Sequence, residues 1–590
     1  MSKLLGLTVI SLLSFQSSIM FASVANAQQP LYLAYPPKNH KTTSDKIFLI
    51  GSASPQGEVT VNGQKIERSK QGHFAPSFPL KLGANRFVLR HNNETINLTV
   101  TRNSTIPNIP QGGGFASNSL TPNRAISVLQ NTPVCFGAIA SPNADVSVTI
   151  ANQTIPLLPQ NKLVELPPNN SILTDSNEPI INSVTKYQGC TKFDRIGNLG
   201  TPNFQLKINN KTIAQQGQGK VNILNPNQLR IVEVIADAGV ARTGPSTNYS
   251  RLTPLPKGTT VSVIGEEGEW LQLDYGAWIK ANETKIVPNL SSAKAIIKSA
   301  KFEKNTEETK AIFPLTLPVP VSLHQMGNKV TLTLYNTTAQ TDTIFLEYEP
   351  LIKSFSWQQV SPGKIEYYFE LHSEQQWGYD LNYEGTNLIF TLRHPPKIES
   401  QNNQPLKNVR ILLDPGHGGN ELGARGPNGY PEKSVNLVVS NLLKQELLKR
   451  GATVYMTRES DKAVSLRDRM KMIDEIKPTI ALSVHYNALP DNGDAINTAG
   501  IGMFWYHPQA ENLSKFLHDY LVEKGPRPSY GVFWNNLALT RPHTSPSVLL
   551  ELGFMINPTE FEWITDAQQQ QNLAVLLANG ITEWFSEKQD

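Results

Sequence analysis

The sequence predicts a multidomain protein in which all-β modules precede one C-terminal α/β domain with a mixed sheet. Three observations predict it. At 590 residues the chain is too long for one core, and three to five domains follow from length alone. From Lys46 to about Arg102, and again from about Ala300 to Arg393, apolar and polar residues alternate between Gly, Pro and Asn turns, the pattern of half-buried strands. After Leu406 the texture changes to strand-like runs that alternate with stretches of helical periodicity.

The N-terminus reads as an export signal, residues 1–27. Lys3 precedes an apolar stretch from Leu4 to Ser23, and Ala25-Asn26-Ala27 before Gln28 forms a small-residue cleavage site. The alternative is a retained anchor, because the stretch approaches the ~20 residues that a span needs. No other long apolar run occurs, so the mature chain is expected to be exported, to periplasm or cell envelope, with no stable membrane span. The net charge of +4 is spread thinly, which argues against nucleic-acid binding. Cys135 and Cys190 are the two cysteines; one disulfide and two buried thiols both remain open readings. No His or Asp pattern accompanies either, so neither reads as catalytic.

The first module, 31–103, reads as an immunoglobulin-like sandwich completed by "PLKLGANRFVLR" (79–90). Its "ASPQGEVTV" (53–61) returns as "ASPNADVSV" (140–148), which predicts a related second module over 125–228, beyond a Gly/Pro/Asn-rich linker at 103–124. Residues 156–228 are Asn/Gln/Pro-rich and carry no assignable pattern. In "GVARTGPSTNYSRLTPLPKGTTVSVIGEEGEWLQLDYGAWI" (239–279), short strands alternate with turns, and Trp270 and Trp278 are placed to pack a very small barrel. Arg242, Gly244-Pro245, Pro256-Lys257-Gly258 and Trp270 resemble the bacterial SH3-like module, here 229–288. That resemblance implies binding to wall peptide or glycan; the residues alone fit a spacer barrel equally. Residues 295–395 form a further β-rich domain, with strands in "KVTLTLYN" and "NLIFTLR", and 395–405 is a linker by composition.

The C-terminal domain, 406–590, opens on strand "VRILLDPG", followed by a helix at 433–451 and a strand at 452–458. A helix at 465–476, strands at 479–487, 500–508 and 547–554, and helices at 510–524 and 566–587 complete the expected set. Polar residues collect at strand ends and loop starts, where open α/β sheets bind ligands. His417 follows the first strand in a Gly-rich turn, Glu432 lies just before the first long helix, His485 sits near the end of "ALSVHYN", and Glu551 interrupts "SVLLELGF". A Glu inside such a strand is costly unless paired or near a metal. Two imidazoles and a carboxylate, with a fourth position for water, make a catalytic zinc set, and an unligated Glu beside them can carry the proton. The spacing does not decide it: the three are far apart in sequence, unlike a local H-E-x-x-H, and a turn histidine with a helix-start carboxylate fits as well.

The segments "LLDPGHGGNELGARGPNGYPEKSVNL", "LSVHYNA" and "PSVLLELGFMINP" resemble, in order, the signature segments of the zinc-dependent N-acetylmuramoyl-L-alanine amidases of type 3. The resemblance covers nearly all of 406–590 and implies a mixed α/β fold, one Zn2+, His417, Glu432 and His485 as its ligands, and Glu551 as the catalytic glutamate. It implies peptidoglycan as substrate, cut between N-acetylmuramic acid and L-alanine in wall remodelling. Tyr430-Pro431 before Glu432 departs from the family's usual Leu, a change at the rim of the site. The β-rich 295–395 is similar to wall-targeting domains that precede some amidases. Some relatives block the zinc with a long helix between the second His and the Glu. "ALPDNGDAINTAG" (488–500) is too short and turn-rich for that, so control is expected from the N-terminal modules. Arg541 could bind a peptide carboxylate or form a surface ion pair, and Asn487 could orient His485 or shape its turn. His507, His518 and His543 are expected in surface or packing roles. The rival readings are a zinc peptidase cutting the stem peptide and a non-catalytic wall-binding scaffold.

Overall fold

Ile411, Leu412 and Leu413 are all fully buried, as a strand covered on both faces requires. They belong to β1 (Arg410–Pro415), an interior strand of a six-stranded sheet with β2 (Thr453–Met456), β3 (Ile480–Asn487), β4 (Ile501–Trp505), β5 (Ser529–Trp534) and β6 (Ser547–Phe554). This computed structural model describes residues 29–588 apart from 161–162, 175–176, 183–184, 289, 291, 347–350 and 399–403. The expected signal segment, 1–27, lies outside the described residues.

The sheet order is β2-β1-β3-β6-β4-β5. β2, β1, β3 and β6 run parallel, β4 is antiparallel to β6, and β5 is parallel to β4. Ile411 and Leu413 turn to one face, where α1 (Glu432–Lys449), α3 (Glu511–Lys524) and α5 (Ala567–Glu587) pack with Val435, Val439, Leu517 and Trp584 in one cluster. Leu412 turns to the other face, against Ile473 of α2 (Leu466–Ile476) and Leu539. Truncating one of these fully buried aliphatics costs about 2–5 kcal/mol. The Ser465 side chain caps α2 by accepting from Asp468 N.

The expected strands and helices of this domain are all present within a few residues. One shift matters: Glu432 is the first residue of α1 rather than a residue before it. The sequence reading missed β5 and α4 (Pro558–Thr565). β5 is an edge strand with no fully buried residue and Gly531 at φ +139°, so it lacks clean alternation. The eight-residue α4 is set by its Pro558 start and the Asn557 cap.

Upstream, 31–102 folds into small sheets around Ile47, Val59, Phe74, Leu89 and Val100. The sequence echo falls on matching structure: a turn leads into strand Val59–Val61 in one module and Asp145–Ile150 in the other. Two expectations are corrected. Phe115 and Leu120 are buried in the second module's core, so the end of the 103–124 linker belongs to that module. Strand Ile126–Leu129 pairs with Val221–Leu224 and also with Thr260–Glu267 of the barrel region, so one sheet runs through the expected boundary at 228/229. Cys135 and Cys190 face each other across paired strands and form a disulfide.

In the 229–288 barrel, Val232, Val261, Val263, Leu273 and Ile279 fill the centre. Trp270 is buried outside that cluster beneath Lys280, and Trp278 is half-buried, so the tryptophans are not the barrel's core. Residues 295–393 form a sandwich of a five-stranded and a four-stranded sheet around Phe313, Tyr367 and Phe390. Among the described residues no helix is long and apolar enough to cross a membrane.

The modules pack on the C-terminal domain. Trp377 stacks on Phe585 and meets Trp584, and Arg393 donates to Pro478 O, Thr544 O and Ser545 Oγ. The first module seats Phe48, Ile50 and Ala75 on Ala495, Phe554 and Ile556, beside the ends of β3 and β6.

Candidate active site

Because β1, β3 and β6 are parallel, their C-terminal ends share one edge of the sheet. His485 lies opposite Glu551 in the register, and the chain leaving β1 carries His417 over the same edge. Glu432, at the start of α1, enters from above. One ligand atom from each of His417, Glu432 and His485 falls within a group no wider than 4.8 Å. His417 Nε2 is 3.1 Å from Glu432 Oε2, and His485 Nδ1 is 3.0 Å from Glu432 Oε1. The two rings meet edge to face with centroids 4.9 Å apart.

The glycines explain how the group fits. A Cβ on Gly416 would overlap the His485 ring, and one on Gly423 (φ +70°) would overlap the Glu432 carboxylate and stand 2.6 Å from His417 Cδ2. His417 itself adopts φ +59°, a left-handed conformation uncommon outside glycine.

That conformation is held from below by a buried network which sequence reasoning missed. Asp414, at the end of β1, accepts from Arg469, Thr457 and Ser483. Arg469 also donates to Pro415 O (2.8 Å) and His417 O (2.6 Å), and Arg458 donates to Pro415 O, Gly416 O and Lys433 O. Both arginines are buried, and their five-donor forks tie the backbone of the His417 turn to Asp414 and to the neighbouring chain at Lys433, Ser460 and Val464. The available signal was an Asp, rather than a further apolar residue, inside "ILLDPG".

Glu432 accepts from Ala424 N (2.8 Å), Tyr486 N (3.1 Å) and Asn436 Nδ2 (3.1 Å). Burial would raise its carboxyl, but the hydrogen bonds from His417 and His485 outweigh that and hold it well below the usual range. For His417, burial would lower the ring and the Glu432 and Glu421 carboxylates more than reverse it. Glu551 is the opposite case. Burial, and then the nearby Glu432 charge, push its carboxyl well above the usual value, and Oε2 is buried with no hydrogen-bond partner.

Two imidazoles and an ionised carboxylate, converging with an orphaned carboxylate oxygen alongside, fit a divalent cation such as zinc. The other candidates sit apart. The Asn487 side chain accepts from Ala488 N, which shapes the turn after β3. Arg541 lies in the chain before β6, at the end of that strand remote from Glu551, and donates to Asn536. His507 and His543 pack around Tyr379, and His518 bonds Ser529. The 488–500 loop carries no helix, and the His417 and His485 side chains remain 21% and 16% exposed.

A mixed sheet with this cluster and a buried, unpartnered carboxylate oxygen at its strand ends has a layout that a metal-assisted hydrolase could use. Residues 411–583 match the N-acetylmuramoyl-L-alanine amidase family, and residues 239–284 match the bacterial SH3 domain. Among curated relatives, the chain is similar to the probable cell wall amidase LytH of Staphylococcus epidermidis, 36% identical over 193 residues, 32% of this chain and 63% of that protein. It is also similar to LytH of Staphylococcus aureus, 36% identical over 184 residues, 31% of this chain and 60% of that protein. The match thus spans less than two thirds of these relatives' length. Among solved structures it is similar to the catalytic domain of the amidase CwlV from Bacillus (Paenibacillus) polymyxa var. colistinus, with 26% identity, 30% of this chain and 98% of that one covered, and a TM-score of 0.29.

Proposed function

We propose that the protein is an exported N-acetylmuramoyl-L-alanine amidase that hydrolyses the amide between N-acetylmuramic acid and L-alanine in peptidoglycan, with one zinc held by His417, Glu432 and His485. The observation that carries this reading is the convergence of those three side chains beside the unpartnered Glu551 Oε2. Bound there, zinc would polarise the scissile carbonyl and lower the pKa of a water towards ~7. Glu551, projecting from a strand buried on both sides, takes the proton from the attacking water and returns it to the departing amine of L-alanine. Beside a bound cation the ionised carboxylate that takes the proton would be favoured, and the burial that favours the neutral form would favour handing it on. Glu421 accepts from His417 Nδ1 at 3.1 Å, which fixes the tautomer and leaves Nε2 as the ligand atom. The similarity to proteins described as probable cell wall amidases supports the substrate class.

The test is muropeptide release from purified sacculi by the full chain, with zinc content measured alongside. Freed N-terminal L-alanine on the peptide supports the amidase. A new amine within the stem peptide would instead favour a zinc peptidase, and a chain that binds sacculi without zinc or release would be a scaffold.

A further inference from the structure

At the end of the sheet remote from Glu551, three domains enclose a cavity of about 330 Å³. β4 runs antiparallel to β6 with Gly502 opposite Glu551, so Trp505, on the cavity wall, lies three residues further on, roughly 10 Å along the strand. The barrel contributes Arg251, the 295–393 sandwich contributes Tyr379, and the C-terminal domain contributes Tyr506, His507, Trp534 and Arg541. The domains are fixed around it: Thr253 Oγ1 accepts from Leu323 N, and Tyr379 stacks on His543.

The lining carries two guanidinium groups and no carboxylate. Arg541 is oriented by Asn536, which is neutral, and Arg251 has no side-chain partner among the described residues. Burial, with Arg251 and Arg242 nearby, pushes Arg541 down to about 10. Like charges facing an enclosed space with no counter-charge are held there at a cost that an entering anion would remove.

Beside them Trp534 is 62% exposed, its indole N–H held by Tyr506 O at 3.0 Å. A fixed, solvent-facing aromatic at a cavity mouth is a stacking surface for a sugar or other flat apolar face. His507 Nε2 is 2.8 Å from Arg541 O; since a carbonyl only accepts, Nε2 carries the proton and Nδ1 is left as an acceptor.

We propose that this cavity is a second binding site for the polymer, taking a carboxylate of a peptidoglycan sugar–peptide unit between Arg251 and Arg541 with its sugar face on Trp534. It rests on the peptidoglycan reading above and adds to it a subsite remote from the scissile bond. Because Arg251 and Arg541 belong to different domains, the site exists only while the barrel is docked. The barrel thereby acts on substrate recognition without approaching the catalytic edge.

The test is calorimetric titration of the full-length Glu551→Gln protein with soluble disaccharide-tetrapeptide. The proposal expects a binding component that Arg251→Gln weakens at least tenfold and Trp534→Ala about fivefold. Trp534 is exposed and Arg251 is half-buried, so neither change empties a core position. Amidation of the probe's carboxylates should weaken the same component at least tenfold. Unchanged binding in Arg251→Gln would overturn the site. Tighter binding of poly(glycerol phosphate), competing with the probe, would overturn the carboxylate assignment. Arg251-dependent binding in a chain that, with Glu551 intact, releases no muropeptide would support the cavity while sinking the amidase reading.

Discussion

His40 Nε2 lies 2.9 Å from Asp491 Oδ2, which ties the first β module to the loop leaving β3 just beyond His485. Tyr35 donates to the other oxygen of Asp491. Burial would raise that carboxyl, but hydrogen bonds from Thr42, Tyr35 and His40 outweigh it and hold it below the usual value. A carboxyl lowered by docking contributes stability that is present above the free-carboxylate range, about pH 4, and is lost as pH falls through the docked value. X-ray scattering between pH 3 and 7 should find the module docked at neutral pH and released in acid. Asp491→Asn should weaken docking by about 1–3 kcal/mol and abolish the acid-dependent part of the release. A pH profile identical in the variant would refute the role of Asp491.

Glu551→Gln keeps the shape of the side chain and removes its proton-carrying function. Muropeptide release should fall by about 10²–10⁴-fold with zinc content unchanged. The metal-free protein offers an independent readout. A carboxyl held above its usual value is destabilising where it must ionise, so the native state loses stability as pH rises from the unfolded-state value through the folded one. The neutral amide escapes that loss. At pH 7 the variant should unfold at an equal or higher urea midpoint than the parent, and a lower midpoint would contradict the reading.

His417 and Glu551 stood out because each breaks a local rule, a histidine among glycines and a glutamate in an apolar strand, whereas Glu432 and His485 were marked by the resemblance and not by their own positions. What supports the four was not legible. Arg469 sits in "SLRDRM", which reads as an exposed helix face, yet its side chain is buried against Asp414 and His417 O. Only the three-dimensional approach of α2 to the end of β1 shows that. Arg541 illustrates the reverse: one reading gave it a peptide carboxylate, but it precedes β6, and that strand carries Glu551 towards the opposite edge of the sheet. The docking of 31–102 was invisible for a similar reason, since Phe48 and Ile50 alternate no differently from residues facing their own core.

Arg469→Ala should therefore act at a distance. It leaves Asp414 buried with two hydroxyl partners and no ion pair, only the more distant Arg458 charge remaining, a loss of about 3–5 kcal/mol by urea unfolding. It also frees His417 O, so zinc affinity should fall by about 10–100-fold, the usual scale for losing support behind a ligand. Arg469→Lys keeps the charge but not the fork, and should recover stability better than it recovers zinc binding. Equal recovery of both would mean that the guanidinium geometry does not position His417.

Reduction of the Cys135–Cys190 disulfide separates module stability from chemistry. The bond closes a loop spanning 55 residues inside the second β module, far in sequence from every ligand. Chain entropy puts its contribution at about 4 kcal/mol. With Cys135→Ser/Cys190→Ser, proteolysis within 125–228 should accelerate at temperatures where the parent resists, while zinc content and release of muropeptide by the 406–590 domain in the intact chain hold at parental levels. The strand pairing that opposes the two positions contributes its own hydrogen bonds, so the module should lose stability without losing its fold. Loss of zinc in this variant would instead mean that the second module and the catalytic edge are coupled, through the bond that Tyr530 of β5 makes to Leu173 O.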